Sequence, residues 1–199
     1  MESTAAALAG VTAFARAMRP DLPAFDEALA ALRETLGRAA VPYALVGGLA
    51  VIHHGYLRTT RDLDLLVDRA ELERALPELE SAGFLRLAEH RLRHRATGAE
   101  VDLLFAGEAR PRPGVPPYPD PRSLARSERE PDVVALPALV DLKLTAGRHQ
   151  DLADVVALLK PLAEDDYLRL DAALRPELRR SLPGLRRDAL EELAAERRG

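Results

Sequence analysis

Residues 43–68 read YALVGGLAVIHHGYLRTTRDLDLLVD, and the fold turns on how this stretch is divided. Tyr43-Ala44-Leu45-Val46 is a short apolar run suited to a buried strand. Gly47-Gly48 interrupts it, residues 49–54 are apolar enough to begin a helix, and Gly55 closes that helix. Leu63, Leu65 and Val67 then alternate with Asp62, Asp64, Leu66 and Asp68, which is strand periodicity. Strand, glycine turn, helix and strand within 26 residues argue for a small α/β sheet.

Working outward, residues 24–40 carry Phe25, Leu29, Leu32 and Leu36 at helical spacing, with Pro42 beyond the end. Downstream, residues 69–81 predict a helix stopped at Gly83, with Asp68 placed to cap its start. Residues 84–87, 92–96 and 100–105 predict three more strands, the last two joined by a turn at Thr97-Gly98. Residues 106–131 carry Pro111, Pro113, Pro116, Pro117, Pro119, Pro121 and Pro131 and cannot hold a long helix. Beyond them residues 136–147, 151–162, 165–174 and 184–198 read as helices, with Pro137 suited to a first turn and Pro176 and Pro183 dividing the later ones. The expected organisation is one compact, two-lobed α/β (α+β) unit. Residues 1–108 form an N-terminal helix and mixed-sheet core, 109–131 a Pro/Arg-rich connection, and 132–199 a C-terminal helical lobe.

Composition narrows the chemistry. The 199 residues carry a net charge of −4, so the chain is not a bulk polycation for nucleic acid. There is no cysteine, which excludes a disulfide scaffold, a thiolate metal site and a cysteine nucleophile. The apolar stretch at residues 5–15 is too short to span a membrane and lacks the basic flank of a signal peptide, so a cytoplasmic protein without membrane contact is expected. Of the 28 cations only Lys143 and Lys160 are lysines. Lys143 stands among Leu139, Val140, Leu142 and Leu144, where a lysine either snorkels to water or finds an anion.

Three carboxylates lie on predicted strands. Asp62 and Asp64, two apart, point to one face while Leu63 and Leu65 turn to the other. Asp102, between Val101 and Leu103, adds a third oxygen donor if its strand lies alongside. Such a cluster suits Mg²⁺ or Mn²⁺, and a pair of ions would serve a phosphoryl displacement. For Asp-x-Asp alone the plain alternative, a solvated strand face, is the favoured reading, since the pattern is common. Gly47-Gly48, 14 and 16 positions ahead of Asp62 and Asp64 counted from Gly48, strengthens the sharper reading, because glycines after a buried strand let backbone N–H groups approach a phosphate. His53 and His54 lack metal-ligand spacing and read as packing or phosphate-adjacent residues. Arg86, His90, Arg91, Arg93, His94 and Arg95, with Arg110, Arg112, Arg122, Arg126 and Arg129 beyond, are a local basic concentration: a solvated face by default, an RNA-backbone contact at the sharpest.

Residues 43–68, with VDLLF at 101–105, resemble the DNA-polymerase-β-type nucleotidyltransferase superfamily. Residues 139–159, LVDLKLTAGRHQDLADVVALL, resemble the Lys-x(4)-Arg-x(2)-Asp-x(2)-Asp helical signature of AbiEii/MenT-like toxin nucleotidyltransferases. The likeness covers roughly residues 26–159. It implies an enzyme that moves a nucleoside monophosphate from an NTP such as ATP to a hydroxyl acceptor. RNA such as a tRNA 3′ end is the favoured acceptor, with a protein hydroxyl or a small molecule such as an antibiotic as alternatives and a cognate antitoxin as a partner. It further implies that Asp62 and Asp64 hold metal ions and Asp102 completes the site and takes the acceptor proton. Gly47 and Gly48 would cradle the triphosphate, and Lys143 would reach the phosphates, with Arg61 and Asp154 also at the nucleotide. Arg148 and Asp151 belong to the same signature as supporting members. Many relatives have Gly-Ser where this chain has Gly47-Gly48, so a serine hydroxyl contact to phosphate is missing. A non-catalytic nucleotide- or partner-binding module on the same fold is the reading of a different class.

Overall fold

The alternation in residues 62–67 becomes β2 (Asp62–Val67), whose Leu63 and Leu65 are fully buried. In the computed structural model, which describes residues 25–110 and 112–198, it belongs to a five-stranded mixed sheet. The other strands are β1 (Tyr43–Leu45), β3 (Phe84–Ala88), β4 (Arg91–His94) and β5 (Glu100–Phe105), in the order β1-β2-β5-β4-β3. Only the β2–β5 pair is parallel; β1–β2, β5–β4 and β4–β3 are antiparallel. The apolar stretch at residues 5–15 lies outside the described residues, as does Ala24 at the start of the first predicted helix. No helix among the described residues is long and apolar enough to cross a membrane.

Helices flank the sheet: α1 (Phe25–Arg38), α2 (Gly47–His53) and α3 (Arg69–Ser81). Phe25, Ala28, Leu29, Leu32 and Leu36 bury one face of α1, as their three- and four-residue spacing requires. Asp68 caps α3 by accepting from the Glu71 amide at 3.0 Å. The α2 helix starts two residues ahead of expectation: extended Val46 is its N-cap, and the Ala50 amide already donates to the Val46 carbonyl (3.3 Å). The β4 strand ends at His94 because the Gly98 amide returns to the His94 carbonyl (2.8 Å), closing the turn early.

Among its described residues the proline-rich connection holds one helical element, a 3-10 turn at Pro121–Ser123 capped by Asp120. It then runs beside the free edge of β1, where the Leu45 amide donates to the Asp132 carbonyl (2.8 Å) and the Val134 amide to the Leu45 carbonyl (3.2 Å). That pairing covers an edge that would otherwise present unpaired backbone groups. Arg33 of α1 fastens the same segment through Asp132 and Glu130.

The C-terminal lobe comprises α4 (Leu136–Ala146), α5 (His149–Leu159), α6 (Glu164–Ala173), α7 (Pro176–Arg179) and α8 (Leu182–Glu196). The α5 helix begins earlier and ends earlier than its sequence suggests: Lys160 keeps helical backbone, but Pro161 has no amide to continue the ladder. Two expectations fail on prolines: Pro176 opens the short α7, and Pro183 sits in the first turn of α8 rather than before it. Leu139 and Leu158 pack with the sheet core, while Val140, Leu144, Val155, Val156 and Leu159 pack with α6 and α8. Thus α4 and α5 belong to both apolar clusters and hold the lobe to the sheet.

Buried Arg186 of α8 donates to the carbonyls of Leu159 (2.5 Å) and Leu162 (2.8 Å), closing the C-terminal end of α5. Arg186→Met keeps the apolar stem, orphans the Leu162 carbonyl and leaves the Leu159 carbonyl with the Leu162 amide (3.2 Å) as its remaining donor. Urea unfolding is expected to show a loss of about 2–3 kcal/mol relative to wild type.

Candidate active site

The parallel register of β2 and β5 places Asp64 directly opposite Asp102, and Asp62 opposite Glu100. Leu63, Leu65, Val101 and Leu103 are buried on the opposite side. The three aspartates therefore share one face of two adjacent strands, which adjacency alone could not be read from the sequence.

The glycine turn closes directly against this face. Gly47 sits at φ +58°, and a Cβ built there would lie 1.8 Å from Asp64 Oδ2. The Gly48 amide donates to the same oxygen at 3.3 Å. No other residue fits at position 47 while Asp64 stays in place. At Gly48 the space of a side chain is taken by Thr60, whose Oγ1 lies 2.5 Å from a built Cβ, and by Arg58 Nη2 at 3.1 Å. Thr60 Oγ1 in turn donates to the Asp62 carbonyl (3.0 Å) and pins the entry of β2.

Crowding of like charges marks the carboxylates. Burial, then the neighbouring Asp62 and Asp102 charges, raise Asp64 to about 6, against the pull of the Gly48 amide and Lys143. Asp62 is also raised, by burial and Asp102, with Arg91 and Arg58 opposing. Asp102 is oriented by a two-point contact from Arg91, Nε to Oδ1 at 2.8 Å and Nη2 to Oδ2 at 3.3 Å.

Arg91 comes from the basic concentration, and most of that run is paired with carboxylates. Arg86 meets Glu73 (2.8 Å), Arg93 meets Glu100 (2.5 Å) and His90 meets Glu108 (2.7 Å), while His94 is buried against Phe84. Farther along, Arg122 reaches Glu71 (3.2 Å), Arg126 donates to the Tyr43 and Pro121 carbonyls, and Arg110 stacks over Tyr118. The face is thus laced with ion pairs rather than simply solvated. His53 and His54 tie α2 to the connection, through Ser127 Oγ (2.6 Å) and the Val134 carbonyl (2.8 Å), and burial lowers both, His54 to about 4.

Lys143 neither snorkels nor stands free. It is 5% exposed, with its ammonium 2.6 Å from Asp154 Oδ2 and 3.3 Å from Asp151 Oδ1. Asp154, fully buried, also takes Gln150 (3.0 Å) and Arg58, whose Nε lies 3.0 Å from Oδ1 and whose Nη2 donates to Oδ2 at 3.2 Å. Asp151 binds Arg148 through Nε (2.7 Å) and accepts from the Arg148 amide at 3.3 Å, so it is cap and ion-pair partner together. Burial pushes Asp151 up, but Arg148 and Lys143 outweigh it and the net displacement is downward. Arg61 is exposed and makes no hydrogen bond or ion pair among the described residues. Arg58, in the same loop, was not singled out in the sequence: nothing in its spacing distinguishes it from Arg61, and only the approach of α5 does.

Among the described residues no three carboxylate or imidazole side chains are already gathered about one point as a metal cage. The donor chemistry nevertheless fits Mg²⁺ or Mn²⁺: Asp62 and Asp64 offer hard oxygens whose crowding a divalent cation relieves. No protein-family model matches this chain, and no curated protein matches it significantly.

Because the folded carboxyl of Asp64 sits above its ordinary value of 3.8, folding opposes its ionisation. The resulting cost is absent below pH 4, grows as pH rises through about 6, and is full above that, at most about 3 kcal/mol. Asp64→Asn keeps an acceptor for the Gly48 amide and removes the charge. Thermal unfolding at pH 8 is expected to show the variant more stable than wild type by about 1–3 kcal/mol, the gain shrinking to zero toward pH 4. A variant less stable than wild type at pH 8 would contradict the charge crowding.

Proposed function

We propose that this chain is a metal-dependent nucleotidyltransferase, transferring a nucleoside monophosphate from an NTP to a hydroxyl with release of pyrophosphate. The reading rests above all on one observation: the Asp64 carboxylate lies on the Gly47-Gly48 turn, beside Asp62 and in register with Asp102, on the polar face of the parallel β2–β5 pair. Like charges held together at a side-chain-free turn are costly to folding and suited to binding cations and phosphates. The resemblance of residues 43–68, 101–105 and 139–159 to polymerase-β-type enzymes supports the same chemistry.

Asp62 and Asp64 would hold one or two Mg²⁺ or Mn²⁺ ions, which when bound supply charge stabilisation at the phosphates. Gly47 and Gly48 leave room for the phosphate chain at the turn. Asp102, oriented by Arg91, accepts the proton of the incoming hydroxyl. The acceptor oxygen bonds to the α-phosphorus, the bond from that phosphorus to the β-phosphate bridging oxygen breaks, and pyrophosphate departs. Lys143 holds the α4–α5 carboxylates in place beside the turn and adds positive potential at Asp64. Positioning and electrostatics carry most of such a reaction.

The test supplies each NTP labelled at the α-phosphate with Mg²⁺ or Mn²⁺, total RNA and total protein. Label is expected in RNA, at 3′ ends, and at least ~100-fold less with Asp62→Ala, Asp64→Ala, equivalent to about 2.7 kcal/mol of transition-state stabilisation. Label in protein or in a small molecule would change the acceptor and keep the reaction class; label nowhere would end it. The signature in residues 143–154 also favours the toxin of a toxin–antitoxin pair. Expressed alone, the wild-type chain is expected to slow bacterial growth and the double variant to leave it unaffected; equal growth with both would remove the toxin reading alone.

A further inference from the structure

Arg58 occupies a position that none of the assigned roles explains. It belongs to the loop between α2 and β2, yet its guanidinium reaches across to Asp154 of α5 and joins the sheet to the helical lobe. Its Nη2 lies over Gly48, 3.1 Å from where a Cβ would stand, so the absent side chain at position 48 is what admits it. Together with the Thr60 hydroxyl, it fills the place a longer residue would take beside the turn.

Its bonding is incomplete. Nη1 donates to the Thr59 carbonyl (2.9 Å) and Nη2 to Asp154, but buried Nε has no aligned hydrogen-bond partner despite its closeness to Asp154. A buried N–H without an aligned acceptor is costly and marks a place where a better acceptor is gained. The side chain is 21% exposed, so one edge remains accessible, whereas Lys143 is shut between two carboxylates with 6% side-chain exposure. Lys143, Arg58 and Arg148 form their direct ion pairs with Asp151 and Asp154, and they also lie within electrostatic reach of Asp62 and Asp64 across the turn. A planar guanidinium with free edge donors is matched to phosphate oxygens, where a buried ammonium is not.

We infer that Arg58 is the cation that receives the phosphate chain of the nucleotide at the Gly47-Gly48 turn, with Asp154 as its counter-ion when no anion is bound. This deepens the nucleotidyltransferase reading, on which it rests for the identity of the anion. Binding draws the guanidinium from Asp154 toward the phosphates, and Lys143 remains to neutralise Asp154. Loop and helical lobe therefore sense the same ligand.

Calorimetric titration of the full chain with inorganic tripolyphosphate and Mg²⁺ tests this. Wild type binds; Arg58→Gln binds at least ~10-fold more weakly, Arg58→Lys falls between, and exposed Arg95→Gln matches wild type. Should Arg58→Gln fail to fold, Arg58→Lys carries the test, with weakening of at least ~3-fold expected from loss of the fork alone. Equal affinity of Arg58→Lys and wild type, equal weakening in Arg58→Gln and Arg95→Gln, or no binding by wild type overturns the assignment. Tripolyphosphate binding that depends on Arg58, in a protein that transfers no label, keeps the anion site and removes nucleotidyl transfer.

Discussion

Asp64 pressed onto a turn that has no side chains is the contact around which the rest is arranged. Gly47 must be glycine because the Asp64 carboxylate stands where its Cβ would be, and Gly48 supplies the amide that bonds it. That contact sets how closely β1 and α2 approach β2, and so where the turn lies relative to Asp62 and Asp102. It is maintained against a charge penalty that the fold does not need for its own sake. Structures tolerate such local cost where a site requires it and offset it through packing elsewhere.

Here the offset is visible in two layers. The sheet core buries Leu63, Leu65, Val101 and Leu103 directly behind the aspartates, so the strands bearing them cannot slip by one residue without exposing this apolar set. On the other side of the turn, α4 and α5 contribute to both apolar clusters and carry the fully buried Asp154. A buried carboxylate is tolerable only when paired, and it is paired from both lobes, by Lys143 and by Arg58. The loop ahead of β2 is thereby tied to the helical lobe through charge rather than through apolar contact. Such a tie is responsive to an anion in a way that an apolar contact is not.

The two networks are also complementary in sign. Asp62, Asp64 and Asp102 collect negative charge on the β2–β5 face, tempered at one end by Arg91. On the neighbouring side of the turn Lys143 and Arg148, with Arg58 from the loop, gather positive charge that is paired with Asp151 and Asp154 and felt at Asp62 and Asp64. A substrate with phosphates, brought with a divalent cation, satisfies both at once, which is the electrostatic basis for the proposed chemistry.

Much of this was legible in the chain itself. The alternation of residues 62–67, the apolar set of α1 and the prolines of residues 106–131 determine strand, helix and connection, because side-chain periodicity and proline backbone limits act locally. Gly47, Gly48, Asp62, Asp64 and Asp102 were identifiable as a group by residue type and order. Helix ends were not, since Pro161, Pro176 and Pro183 each permit more than one boundary. The parallel pairing of β2 with β5, the pairing of the basic run with carboxylates, and the burial of Lys143 between Asp151 and Asp154 were decided by tertiary structure alone. So was the role of Arg58, which differs from Arg61 only in what α5 brings within its reach. Local backbone preference is written residue by residue, whereas a charge acquires its partner only when distant elements are packed together, and the sequence carries no direct record of that distance.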